Sequence, residues 1–129
     1  FTYKNLDVES QETKLGYNSF NYFIKNKIKI DAIFCTNDLL ALGCYQAIKE
    51  TNLSIPNDIS IIGYDNSLIA TNIKPELTSV ELPYQEMTQK AINQLINFPN
   101  IEENYKIYVE CPLINHNSVK INKDETRKR

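Results

Sequence analysis

Four polar side chains stand where a small polar ligand could be gripped: Asn37 and Asp38 follow the apolar run Ala32–Cys35, and Asp65 and Asn66 follow the apolar run Ile59–Ile62. A carboxylate accepts hydrogen bonds from two hydroxyls at once, and a carboxamide both donates and accepts. Such a set suits a polyhydroxylated ligand. The carboxylates Asp38 and Asp65 also raise glycoside hydrolysis, which works through a carboxyl pair. Nothing in the sequence fixes their separation, and no GxSxG, P-loop or GxGxxG pattern accompanies them. The residues support binding over catalysis.

The elements between these residues explain why they would meet. A helical pattern runs from Leu39 to about Glu50, and a turn at Ile55-Pro56-Asn57-Asp58 leads into the second apolar run. Two short β-branched runs separated by a helix read as a strand–helix–strand unit. Runs without polar alternation mark strands buried on both faces, hence a parallel sheet covered by helices. In an open sheet of that kind, ligands bind outside the C-terminal ends of the strands. Local roles compete with this one. Asn37 or Asp38 can cap the helix that follows, and Asp65 can cap the turn before Asn66-Ser67. The helix itself is apolar on more than one face, with Leu39, Leu40, Ala41, Leu42, Cys44, Tyr45, Ala47 and Ile48. One stripe would serve a sheet. The surplus calls for a second buried surface, against another layer or against a partner subunit.

Upstream, Phe1 to Val8 alternates loosely, as a strand followed by a loop would. From about Glu12, Leu15, Tyr17, Phe20, Phe23 and Ile24 recur at helical spacing. Ser10 and Glu12 suit that helix's start, and Lys25 and Lys27 its end. Downstream, Asn66–Ile73 reads as a short helical turn, Lys74-Pro75-Glu76 breaks it, and Leu77–Val80 reads as a strand. Pro83 opens a further helix, whose apolar stripe is Met87, Ala91, Ile92, Leu95 and Ile96, and Phe98-Pro99-Asn100 ends it. Lys106–Val109 and Leu113–Ile114 read as strands or extended chain. From Ser118 to Arg129 the sequence is polar and charged.

The segments DAIFCTNDLLALG, IPNDISIIGYDN and LTSVELPYQEMTQKAINQL, in that order and spacing, resemble the effector-binding domain of the LacI/GalR family of bacterial transcription regulators, from about Gly16 to Ser118. The resemblance implies a periplasmic binding protein-like fold, a three-layer α/β/α arrangement with a mainly parallel sheet, whose two lobes close on a ligand. It implies that residues 1–80 and 105–118 belong to the C-terminal lobe, that 81–104 belongs to the N-terminal lobe, and that 119–129 is a polar tail. The family's helix-turn-helix and most of its first lobe have no counterpart here, so the chain reads as the C-terminal part of a longer protein. By position, Asn37, Asp65 and Tyr84 match effector contacts, with Asp38 and Asn66 as second choices. Leu39, Leu42, Tyr45 and Gln46 fall on the helix that contributes to the family's homodimer interface. The implied function is sensing a sugar or purine-like effector, without a cofactor, in a cytoplasmic regulator that reads operator DNA through a module outside this chain. With the first lobe absent, the Met87–Ile96 stripe is exposed, repacked, or buried against a second copy. A secreted sugar-binding protein of a transport system shares the pocket logic and is the alternative.

Composition narrows the classes further. The 129 residues carry a net charge of −2 and 42% hydrophobic residues, the balance of an ordinary globular domain. A nucleic-acid surface needs clustered Lys and Arg. The cluster Arg127-Lys128-Arg129 sits beside Asp124 and Glu125 at the chain end, as a solvated tail would. No apolar run is long enough to span a membrane. Cys35, Cys44 and Cys111 form no CxxC, and Cys35 and Cys44 lie within apolar runs, as reduced buried thiols do. His116 is the one histidine and has no cysteine at ligand spacing, so no metal site is expected.

Overall fold

Hydrogen-bonding side chains at the helix starts set most element boundaries in this chain. The computed structural model describes residues 10–97 and 106–121. Helix α1 spans Gln11–Lys25, and the Ser10 hydroxyl caps it by accepting the Thr13 N–H at 3.1 Å. It closes on Lys27, whose φ of 56° lets the Ile28 N–H reach back to the Phe23 carbonyl at 2.9 Å. Strand β1 is Ala32–Phe34, and helix α2 is Asp38–Lys49 with Asn37 as its cap. Strand β2 is Ser60–Asp65, helix α3 is Leu68–Asn72 capped by Ser67, and strand β3 is Thr78–Glu81. Helix α4 covers Tyr84–Ile96 behind Pro83, and strand β4 is Leu113–Ile114. Residues 106–112 form no regular element, although the Pro112 carbonyl accepts the Glu81 N–H of β3 at 2.8 Å. The expected strand at Phe1–Val8, the helix stop at Phe98–Asn100 and the charged end from residue 122 lie outside the described residues.

The sheet runs β1-β2-β3-β4, with the first three strands parallel and β4 antiparallel to β3. Ile33 pairs with Ile61, and Gly63 with Ser79, so these residues share one face. That face meets α2: Ile61, Leu42, Ala41 and Ala47 are all 0% exposed. Leu77, Ile73 and Ala70 extend the core under α3. On the opposite face, Phe34 remains 60% exposed and Leu113 45%.

The surplus apolar surface of α2 is covered by α1. The two helices cross with their backbones in contact, because each offers a glycine. A Cβ added at Gly43 would collide with the backbone of Thr13 and Tyr17, and one added at Gly16 with the Leu40 carbonyl. Phe20 is driven fully into this contact, and Cys44 Sγ donates to the Gly16 carbonyl at 3.5 Å. Of the α2 residues expected at a partner subunit, Leu42 and Tyr45 are buried within this chain, Leu42 against the sheet. Leu39 and Gln46 stay half-buried. Cys35 and Cys44 are buried and unlinked.

Ser118, the last residue of the expected domain, is anchored in the core. It is fully buried; its hydroxyl donates to the Ile61 carbonyl at 2.5 Å and accepts the Thr78 N–H at 2.8 Å, tying the returning chain across β2 and β3. The α4 stripe, in contrast, is exposed. Met87 and Ile92 are 40% and 45% exposed, Leu95 and Ile96 both 73%, and no residue of α4 is buried.

Candidate functional site

The three parallel strands end on one edge, and their exits carry the polar residues. Strand β1 ends first, and the Cys35 N–H still bonds the Ile62 carbonyl at 2.8 Å before the chain turns into Asn37. Strand β2 continues to Asp65, which pairs with Glu81 at the end of β3. Three residues on, Tyr84 begins α4 with its hydroxyl facing the Asp65 carboxylate. The edge thus brings Asp65 and Tyr84 together, with the Asn37 and Asp38 turn beside them.

Each side chain has its own local duty. Asn37 has φ −158° and uses Oδ1 to accept the Leu40 N–H at 2.8 Å, capping α2. That bond fixes the carboxamide and leaves Nδ2 as the donor end. Asp38 is 1% exposed. Its Oδ2 accepts from the Ser67 N–H at 2.7 Å and the Ser67 hydroxyl at 2.9 Å, and its Oδ1 accepts from the Ser79 hydroxyl at 2.7 Å. Gly63 makes this possible, since a Cβ there would strike Asp38 Oδ1 and approach Leu77 to 2.7 Å. Asp38 is therefore an internal brace, and its buried carboxylate has no free face for a glycosidic oxygen.

Asp65 and Asn66 adopt the left-handed region, with φ of 111° and 49°. Asp and Asn are the non-glycine residues that tolerate it best. Asp65 stays partly exposed. Burial, and next the Asp38 carboxylate, push its carboxyl pKa up, while the Tyr84 hydroxyl opposes the shift. Desolvation, and next the Asp65 charge, raise the Tyr84 phenol in turn. Tyr84 keeps 58% of its surface exposed, so a ring face is open for stacking. Asn66 donates its N–H to the Ser79 hydroxyl at 3.1 Å, and its Oδ1 is buried without a hydrogen-bond partner among the described residues. Ser67 and Ser79 are the site residues that sequence reasoning missed. The signal lay in the buried Asp38, which must find donors, but nothing local in the sequence named them.

An open groove of about 700 Å³ runs along the start of α4, lined by Glu81, Leu82, Tyr84, Glu86, Gln89 and Lys90 among others. Asn37 and Asp65 are not in its lining, so Tyr84 links the groove to the strand edge. Among the described residues, no cluster of three or more His, Cys, Asp or Glu side chains could hold a metal ion. No described helix is long and apolar enough to cross a membrane.

The sequence matches the model of a periplasmic binding protein-like domain over residues 4–118. It is 36% identical over 110 residues to the HTH-type transcriptional repressor PurR of Erwinia tasmaniensis, covering 84% of this chain and 32% of that protein. It is 34% identical over 82 residues to the ribose operon repressor of Escherichia coli K12, covering 64% of this chain and 25% of the repressor. The fold matches a LacI family transcriptional regulator from Enterococcus faecium solved with bound ribose, with a TM-score of 0.70 and 29% identity over 83% of this chain and 40% of that one. The chain thus spans no more than about a third of the length of these curated relatives.

Proposed function

The chain belongs to the periplasmic binding protein-like domain family, and from that premise we propose that it is the ligand-sensing part of a LacI-type transcriptional regulator. Its ligand is a small sugar or a nucleobase-like effector. The observation that carries the reading is the meeting of Asp65 and Tyr84 at the C-terminal edge of the parallel strands, with the Asn37 turn beside them. Asp65 accepts hydrogen bonds from ligand hydroxyl or N–H groups, Asn37 donates through Nδ2, and the Tyr84 ring stacks on the ligand's flat or apolar face. Asn66 stands beside them as a secondary contact.

The relatives are named as repressors, and in a regulator of this kind a ligand shifts DNA affinity only through different affinities for two lobe arrangements. In this reading α4, within the segment 81–104, belongs to a second lobe, and its exposed Met87, Ile92, Leu95 and Ile96 are the surface that lobe covers. Operator DNA is bound by a module outside this chain, and the intact regulator is a cytoplasmic homodimer. Leu39 and Gln46 are the members of the expected α2 contact that retain surface for it. The site binds and does not cut, because the buried oxygens of Asp38 are already taken. The transport-protein alternative draws less support, as the relatives compared are repressors.

The test is calorimetric titration of the intact regulator with D-ribose and with hypoxanthine, repeated on Asp65→Ala. Charge-assisted hydrogen bonds are worth about 1.5–3 kcal/mol each, so the substitution weakens binding about ten- to a hundredfold. Unchanged affinity in Asp65→Ala removes this residue from the site and the proposal with it.

A further inference from the structure

We propose that Asp38 is a positioning residue for the effector site, and that through Ser67 and Ser79 it holds the Asp65–Asn66 turn in its binding geometry. The inference rests on the sensing role assigned above to Asp65.

The argument starts from two consecutive peptide N–H groups. The one that follows Asp65, on Asn66, is held at 3.1 Å by the Ser79 hydroxyl, and the next, on Ser67, is held at 2.7 Å by Asp38 Oδ2. Ser79 is itself oriented by Asp38, because its hydroxyl donates to Oδ1 at 2.7 Å and so turns a lone pair towards Asn66. One carboxylate therefore governs both anchors of the turn. The anchors follow directly on Asp65 and on Asn66, two non-glycine residues with positive φ, a conformation that persists only where the surroundings over-determine it. The carboxylate is 1% exposed and Ser79 is fully buried, so water cannot replace either link. Asp38 also ties the start of α2 to the start of α3 and to β3, the strand that leads into Tyr84. A site built this way needs no ligand to assemble, which lowers the ordering cost on binding.

The geometry gives Asp38 a second, electrostatic handle. Its charge disfavours ionisation of Asp65. The other ionisable groups at Asp65 are Tyr84 from α4 and Glu81, its pairing partner on β3, with Tyr64 next to Tyr84.

The test uses the full chain and three readouts. Amide hydrogen exchange in Ser79→Ala and Asp38→Asn is expected to speed at Asn66 and Ser67 by about tenfold or more, a local loosening, while Ile61 and Leu42 keep their protection. The carbon-13 shift of the Asp65 carboxyl is expected to titrate at lower pH in Asp38→Asn than in the wild type, and at an unchanged pH in Ser79→Ala. A purely structural brace would lower protection throughout and leave the Asp65 titration where it was. Unchanged exchange at Asn66 in Ser79→Ala overturns the proposal, as does an unchanged Asp65 titration in Asp38→Asn. If Asp38→Asn does not fold, Ser67→Ala takes its place in the exchange experiment, where faster exchange at Asn66 alone with Ser67 supports the brace and no change overturns it. Titration of the intact wild-type regulator with D-ribose and with hypoxanthine, run beside these, separates the two claims. Absence of binding there with loosened exchange here overturns the sensing reading and the effector role of the turn, and leaves only the brace.

Discussion

Replacing Gly43 with alanine should destabilise the chain although alanine is the better helix former. The helix-propensity gain of Gly→Ala is about 1 kcal/mol. Against it stands the crossing of α1 over α2, where an added Cβ would sit 2.7 Å from the Tyr17 nitrogen and closer still to the Thr13 carbonyl oxygen. Both obstacles are backbone, so no rotamer change relieves them, and the helices must part by on the order of 1 Å to restore ordinary contact. A gap of that size forfeits a quarter to a half of each dispersion well across the contact, roughly. The contact includes fully buried Phe20, with Tyr17 and Leu40 partly buried around it. Taking the loss as about 3 kcal/mol, within the usual cost of overpacking, the net change is about 2 kcal/mol. Urea unfolding followed by circular dichroism should show this as a midpoint about 1 M lower at an unchanged slope near 2 kcal/mol/M, roughly. Gly16→Ala should behave alike, and the double variant should cost less than the sum, because either one already separates the helices. A Gly43→Ala chain as stable as the wild type would refute the claim that α1 supplies the second layer of α2.

Ser118→Ala should cost about 2–3 kcal/mol in the same assay, since it leaves the Ile61 carbonyl and the Thr78 N–H buried without their partner; a change below about 0.5 kcal/mol would return Ser118 to the surface class. Asp65→Asn should stabilise the fold at neutral pH, because the folded-state pKa of Asp65 lies above its unfolded value and its ionisation is therefore penalised in the fold. The advantage of the variant should be full above the folded pKa and fade as pH falls through it towards the ordinary aspartate range, and thermal melts between neutral and acid pH that show a constant or opposite difference would count against this reading.

What could be read from the sequence followed from periodicity and caps. The runs Ala32–Cys35 and Ile59–Ile62 became β1 and β2 as short apolar runs on either side of a helix, although β1 is covered on one face only, with Phe34 exposed on the other. The start of α4 followed Pro83, and α1 began behind Ser10, since cap and proline preferences act within a few residues. The contacts that escaped are between residues far apart in the chain. Asp38 bonds Ser67 and Ser79 across separations of 29 and 41 residues, and Ser118 reaches Ile61 across 57. No local pattern marks a serine as the partner of a particular buried carboxylate. The surplus apolar face of α2 was visible, but two outlets were open to it, another layer or another subunit. Gly16 and Gly43 decide for the layer, and a glycine inside a helix announces close approach without naming what approaches.

The site's position in the sheet bears on how it would signal. Asp65 ends β2, whose neighbour β3 runs directly into Tyr84 and α4, a helix that buries none of its own residues. On the proposed brace, the turn that follows Asp65 is fastened through Ser67 and Ser79, whereas Tyr84 sits on a helix that buries none of its residues. A ligand bonded to Asp65 and stacked on Tyr84 therefore spans a fixed element and a weakly tethered one. Its affinity must depend on how α4 sits, and by linkage its binding biases that placement by the same free energy. In the lobe arrangement proposed above, the exposed stripe of Met87, Ile92, Leu95 and Ile96 is the surface that would pass this bias to the second lobe. In this reading the brace matters as much as the contacts: if the Asp65 turn yielded as readily as α4, binding would be absorbed locally and no difference between arrangements would survive.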